Sequence, residues 1–210
     1  MRPGFAGVTG VMAVLPLSNV NTDAIIPSAW LRTASADLSK GLFGGHRFDA
    51  DGRERPGFVL NQVPFRDAKI LLADENFGCG SSREAAVWAL VQFGIRAVLA
   101  PSFADIFYEN AFRNGLLAAR IAPETYTALG APRQNPTFTI DLPACTITGP
   151  DGATHSFAVP AARAEALIRG DDEIDLTLHH VAEIEAYHSA AQAARGWLYA
   201  GVPLSEQNHP

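Results

Sequence analysis

The chain reads as an α/β protein built on a mostly parallel core of βαβ units, with a β-hairpin added. Three observations predict this. Between Lys69 and Ile121, short apolar runs at 69–73, 97–100 and 116–121 alternate with helix-like segments at 82–93 and 103–113. The joints between them are only a few residues long, the pattern of parallel strands crossed over by helices. Further on, Gly149-Pro-Asp-Gly152 sits between the β-rich runs Cys145–Thr148 and His155–Val159, which signals a hairpin. Finally, 210 residues that are 48% hydrophobic and 18% charged are enough to close one sizeable core.

Taken in order, Gly7 to Leu15 is a strand closing on Pro16, and Ser18 to Asp23 is polar and turn-like. Ala24-Ile-Ile-Pro27 is a short apolar piece stopped by proline. Residues 28–67 form a long, weakly periodic region holding Trp30, Arg32, His46 and Arg47, with at most a short strand at Phe58–Leu60. Loops of that length in a compact domain are commonly functional, so 28–67 is expected to be a substrate or partner loop. The strand Lys69–Ala73 follows. Ser81 and Glu84 stand in the relation of a capping box, which predicts a helix starting at 81–82 and ending at Gly94. Ser102 and Asp105 repeat the cap-like spacing before a helix from Phe103 to Arg113, with Ile106, Phe107 and Phe112 facing inward. A short helix at 124–130, a strand at 137–142, the hairpin and a helix at 160–169 stopped by Gly170 complete the core. The acidic cluster Asp171, Asp172, Glu173 and Asp175 lacks the glycine and terminal glutamate of a calcium loop and reads as a solvated turn. His179, His180 and His188 read as surface histidines of a C-terminal helix. One domain over residues 1–200 and a frayed tail at 201–210 are expected.

Bulk properties exclude several classes. The formal charge of −6 comes with no basic run, which argues against nucleic acid as a partner. No stretch approaches the ~20 uninterrupted apolar residues of a membrane span, and no leader-like segment opens the chain. A cytoplasmic setting is the expectation. The two cysteines, Cys79 and Cys145, are far apart and in no metal-binding pattern.

The chemistry concentrates in Asn76-Phe-Gly-Cys-Gly-Ser-Ser-Arg-Glu84. Gly78 and Gly80 let the backbone take positive φ and let a ligand approach, while the following helix offers its positive end. A nest of N–H groups with two hydroxyls and a guanidinium suits a carboxylate or phosphate. Arg83 can hold a carboxylate through two parallel hydrogen bonds. A capped helix with a solvated arginine would produce the same spacing.

These residues also carry a family likeness. The run Asn76–Glu84 followed by Trp88-Ala-Leu90, with Asn19-Val-Asn-Thr-Asp-Ala-Ile-Ile-Pro27, Gly94–Tyr108, Asn114-Gly-Leu-Leu117 and Ile174–Leu178, resembles the small subunits of 3-isopropylmalate dehydratases in the aconitase superfamily. The resemblance implies the swivelling β/β/α fold of aconitase type. It implies a hydro-lyase of leucine biosynthesis that isomerises 2- and 3-isopropylmalate by dehydration and rehydration. By the same likeness Ser81 is the base and Arg83 the carboxylate clamp. Ser82, Gly80 and Asp23 would contact substrate, and Arg32 would lie in the loop that reads its variable side chain. The implied 4Fe-4S cluster needs three thiolates, so it is expected in a large-subunit partner rather than in this two-cysteine chain. Two departures stand out: Ala85 and Val87 occupy positions where the family usually has His and Pro, and Asn21 stands where Asp is common. They keep open a related hydroxy-diacid, of citraconate or homoaconitate type, as substrate. A non-catalytic anion-binding module is the remaining alternative.

Overall fold

The computed structural model describes residues 3–32, 37–81 and 83–199. It divides into two compact units, Met1–Asp171 and Asp172–Pro210, each described by itself. In chain order the first unit contains β1 (Gly7–Leu15), α1 (Thr22–Ile25), α2 (Gly44–Arg47), β2 (Ile70–Ala73), α3 (Glu84–Phe93), β3 (Ala97–Ala100) and α4 (Asp105–Arg113). Then come β4 (Leu117–Arg120), α5 (Pro123–Gly130), β5 (Thr137–Asp141), β6 (Thr146–Thr148), β7 (Thr154–Ser156) and α6 (Ala161–Arg169).

The seven strands form one mixed sheet in the order β4-β3-β2-β1-β5-β6-β7. β1 through β4 pair in parallel, and β5 to β7 are antiparallel. Strand β1 is nine residues long because it serves both halves. Its first part, Gly7–Val11, pairs antiparallel with β5, and its second, Met12–Leu15, pairs parallel with β2. The parallel strands β2 and β3 are buried at every position, so they read as continuous apolar runs rather than alternating ones. Successive side chains still point to opposite faces. Leu71, Ala73, Val98 and Ala100 join the core under α3 and α4. Ile70, Leu72, Ala97 and Leu99 join a second core with Leu129 of α5 and Leu167 of α6. Each large side chain buried there contributes about 1.5–3 kcal/mol.

Several expectations change, and one open point is filled in. The order of 28–67 is left open by the sequence; among its described residues it is a packed run of short turns, with 3-10 turns at Ser28–Arg32, Leu38–Gly41, Val59–Asn61 and Phe65–Asp67 around α2. Its anchor is Arg47. The guanidinium lies 5.0 Å from the Phe48 ring and 5.2 Å from the Phe93 ring, and its Nε donates to Asn61 Oδ1 at 3.1 Å. Asn61 returns a bond to the Arg47 carbonyl at 2.8 Å, and the Leu38 N–H donates to Gln92 Oε1 of α3 at 2.8 Å. Sequence periodicity misses this because the segment is held by a buried polar hub rather than by an amphipathic stripe. The expected strand at Phe58–Leu60 is accordingly a 3-10 turn.

The helix starts are also later than the capping patterns suggest. Helix α3 begins at Glu84, with Arg83 as an N-cap that makes no side-chain capping bond. The Ser81 carbonyl instead accepts from the Thr22 hydroxyl at 2.6 Å, so residue 81 is tied to the neighbouring loop rather than to the helix. Likewise α4 begins at Asp105, because Ser102 Oγ accepts from the Asn76 N–H at 2.8 Å instead of capping. With the helix rotated accordingly, Phe107 is buried but Ile106 is exposed. Gly94 and Gly170 end α3 and α6 in the left-handed conformation, as expected.

The second unit holds α7 (Glu173–Leu178), α8 (Val181–Ala194) and a 3-10 turn at Gly196–Leu198. The acidic cluster here starts a helix: the Asp172 carboxylate accepts from the Ile174 and Asp175 N–H groups, and Asp175 Oδ2 accepts from the Asp172 N–H, a full capping box. His180 has a carboxylate neighbour after all, Glu183 Oε2 at 3.0 Å. No helix is long and apolar enough to cross a membrane among the described residues. The expected tail at 201–210 lies outside them.

Candidate active site

The site lies where the C-terminal ends of three parallel strands release their loops, the usual ligand edge of an open α/β sheet. The loop after β2 is threaded between the loops after β1 and β3. On one side the Gly78 N–H donates to the Val20 carbonyl at 2.8 Å, and the Thr22 N–H donates to the Cys79 carbonyl at 2.9 Å. Asn76 Nδ2 also donates to Asn19 Oδ1 at 2.8 Å. On the other side the Phe77 N–H donates to Ser102 and the Ala104 N–H to Phe77, at 3.1 and 3.0 Å. This explains why Asn19–Asp23 and Asn76–Glu84 both carry the sequence signal: they are adjacent parallel segments of one surface.

Gly78 and Gly80 sit at φ +79° and +84°. A Cβ at Gly78 would fall 2.2 Å from the Phe107 ring, so this glycine is needed for conformation and space together. At Gly80 the nearest atom would be Asn21 Cβ at 3.3 Å. The loop is thus pressed flat against the fold at Gly78 and opens toward solvent at Gly80 and Ser81, both exposed.

A cleft of about 260 Å³ is formed there by Thr22, Gly78, Gly80, Ser81 and Arg83 on the polar side and Ala104, Asp105, Ile106 and Phe107 on the other. The N–H groups of Gly80 and Ser81 have no hydrogen-bond partner among the described residues. Arg83 Nη1 lies 2.5 Å from Asp23 Oδ1. That nitrogen is nonetheless shielded from solvent without a well-aligned hydrogen bond, so the contact is an ion pair by distance rather than a directional bond. Half-exposed pairs of this kind are worth about 0–1 kcal/mol. An incoming carboxylate can therefore take over the guanidinium at little cost.

The structure brings Ser81, Gly80, Arg83 and Asp23 together, Asp23 in the first turn of α1 beside Arg83. Ser82 lies outside the described residues. Arg32 ends the 3-10 turn Ser28–Arg32, and its side chain lies outside the description. Cys79 is partly exposed rather than buried, its Sγ 3.3 Å from the Asn19 carbonyl. Asn21 caps α1 by accepting from the Ala24 N–H at 2.7 Å, a role that Asp performs equally well. Val87 is fully buried in α3.

Two contributions escape sequence reasoning. One is the Thr22 hydroxyl that holds the Ser81 carbonyl. The other is Asn114, whose Nδ2 donates to Glu84 Oε1 at 2.8 Å and whose Oδ1 accepts from Trp88 Nε1 at 2.9 Å. That relay ties the first turn of α3, next to Arg83, to the end of α4. A larger cavity of about 650 Å³, lined by Trp30, Lys40, Arg47, Phe48 and Phe93 among others, shares no residue with the loop. Its buried arginine is already occupied by Asn61 and backbone carbonyls, so the larger volume does not mark the chemistry. Among the described residues no group of three or more His, Cys, Asp or Glu could hold a metal ion.

Fold and loop together define an aconitase-type α/β domain. The family described as the aconitase C-terminal domain matches residues 2–124, and the family described as LeuD_N matches residues 133–161. The 3-isopropylmalate dehydratase small subunit of Dinoroseobacter shibae is 50% identical over 198 residues, covering 92% of this chain and 98% of that relative. The small subunit of the same name from Jannaschia sp. is 49% identical with the same coverage. A crystal structure of 3-isopropylmalate dehydratase from Methanocaldococcus jannaschii superposes with a TM-score of 0.63 at 27% identity, covering 86% of this chain and 99% of that one. The chain belongs to the family of 3-isopropylmalate dehydratase small subunits.

Proposed function

We propose that this chain is the small subunit of a hydro-lyase that interconverts 2-isopropylmalate and 3-isopropylmalate in leucine biosynthesis, and that it works in the cytoplasm docked on a large subunit. The observation that carries the reading is the meeting of Ser81 and Arg83 on one open cleft beside the Gly80 and Ser81 N–H groups, which have no hydrogen-bond partner among the described residues. The names of the relatives favour isopropylmalate over other hydroxy-diacids.

In this reading Arg83 holds a substrate carboxylate in a bidentate pair, displacing Asp23. Gly80 and Ser82 add donors from the loop. With the carboxylate anchored, the carbon beside it faces Ser81, whose exposed hydroxyl has no hydrogen-bond partner among the described residues. The Ser81 oxygen removes the proton from that carbon as the hydroxyl leaves the neighbouring carbon, and in the rehydration it gives the proton to the neighbouring carbon while the hydroxyl adds to the first. A serine can act so only if its anion is stabilised, and the N–H groups, the helix end and Arg83 supply positive potential there. Arg32 belongs to the segment that sorts substrates by side chain.

The donor set of this chain does not fit an iron–sulfur cluster, since Cys79 and Cys145 bond separate carbonyls, Asn19 and Leu142, and form no ligand group. In this reading a 4Fe-4S cluster would be held by the large subunit and would supply the Lewis acid for the substrate hydroxyl. Residues 1–200 are treated as one swivelling domain. The test is anaerobic mixing of this chain with its large subunit and a panel of hydroxy-diacids. Turnover of isopropylmalate only in the mixture supports the reading; turnover by this chain alone, or stoichiometric iron on it, overturns it.

A further inference from the structure

Helix α4 presents an aliphatic side chain where none is needed for folding. Ile106 is 53% exposed, while its neighbour Phe107 is 2% exposed and fills the space against Gly78. A lone exposed isoleucine is unremarkable on most surfaces. This one lines the same cleft as Ser81 and Arg83. The cleft is thereby split by chemistry: a guanidinium, a hydroxyl and backbone N–H groups on the loop side, and an aliphatic wall on the α4 side. Of the apolar residues on that wall, Ala104 is small and Phe107 is already sealed against the fold, so Ile106 is the large apolar surface left to offer a ligand.

We propose that Ile106 is a specificity-determining residue: it forms the apolar wall that receives the branched alkyl group of a hydroxy-dicarboxylate whose carboxylate is held by Arg83. This rests on the functional reading above and extends it to a residue of α4, outside the Arg32 segment. The position of Ile106 is set by the rigid end of a nine-residue helix. That helix is in turn tied to α3 through Asn114, so wall and clamp are carried on coupled elements.

The experiment compares wild type, Ile106→Val and Ile106→Ala, each reconstituted anaerobically with the large subunit, on isopropylmalate and on 2-methylmalate. A hydrophobic pocket discriminates about 10–200-fold per methylene-sized change. Ile106→Ala is expected to lower kcat/KM for isopropylmalate about 10–100-fold, chiefly through KM, and to leave 2-methylmalate within about threefold, with Ile106→Val intermediate. Subunit affinity, measured by titration calorimetry, is expected to be unchanged. Equal losses on both substrates, no loss on either, or a loss that disappears at saturating large subunit would overturn the assignment. The last result would make Ile106 an intersubunit contact. Wild-type turnover of isopropylmalate in the same assay keeps these failures distinct from a failure of the functional reading itself.

Discussion

Arg83 and Gly78 show how much of the site rests on single residues. In the proposed function Arg83 exchanges its pairing with Asp23 for a two-point grip on a substrate carboxylate, which its planar fork allows. Arg83→Lys keeps the charge and loses the fork. It is expected to raise KM and lower kcat/KM by about 100-fold in the reconstituted complex, measured by steady-state kinetics. Gly78 combines positive φ with a Cβ position 2.2 Å from Phe107. Gly78→Ala should lower the thermal midpoint by several degrees, about 2–4 kcal/mol, whereas Gly80→Ala, which meets only Asn21 at 3.3 Å, should lose about 1 kcal/mol. Glu54 offers a titration test. The hydrogen bond from Arg66 holds its carboxyl below the ordinary glutamate range, so its contribution is present above the unfolded pKa and is lost as pH falls through the lower folded one. Glu54→Gln should remove that part of the acid-side decline in stability, read from thermal midpoints across pH 3–6 in wild type and variant, a window set by the ordinary glutamate pKa of about 4.3. At this scale the sequence singled out residues that the fold places together: Ser81, Gly80 and Arg83 line one cleft and Asp23 pairs with Arg83. It was silent about Thr22 holding the Ser81 carbonyl, because a hydroxyl-to-carbonyl bond across 59 positions leaves no local pattern.

Among elements, strands were easier to read than helix starts or turns. β2, β3 and, up to its exposed Arg120, β4 are short buried apolar runs, and such runs have few other readings once helices alternate with them. The starts of α3 and α4 were misplaced because Ser81 and Ser102 have the spacing of caps but are held by neighbouring loops, Ser81 through its backbone carbonyl and Ser102 through its hydroxyl. The order of the 28–67 region was not legible for a different reason. Its order comes from Arg47 and Asn61, a buried charge and its amide, and a buried polar hub has no periodicity. Burial lowers the Arg47 pKa from its ordinary value, and the nearby Glu54 carboxylate opposes that shift. Asn61→Leu leaves that guanidinium short of a partner and is expected to cost about 3–5 kcal/mol, measured by denaturant unfolding. The Glu84–Asn114–Trp88 relay is partly solvent-exposed and weaker: Asn114→Ala should cost about 1–2 kcal/mol and loosen the Arg83 end of α3.

For the whole molecule, the sheet explains why half an active site can stand on a small chain. One long strand, β1, joins a parallel half that delivers three loops to one edge and an antiparallel half that carries the hairpin. The cleft on that edge is small, about 260 Å³, with a guanidinium on one side and an aliphatic wall on the other, and no group of three or more His, Cys, Asp or Glu that could hold a metal ion occurs among the described residues. Such a surface is suited to being closed by another chain. The most direct measurement is turnover of isopropylmalate by the anaerobically reconstituted complex carrying Ser81→Ala, with substrate affinity and subunit association measured on the same preparation. The account predicts a loss of about 10²–10⁴ in kcat with KM and association nearly unchanged. A variant that keeps wild-type kcat would contradict it.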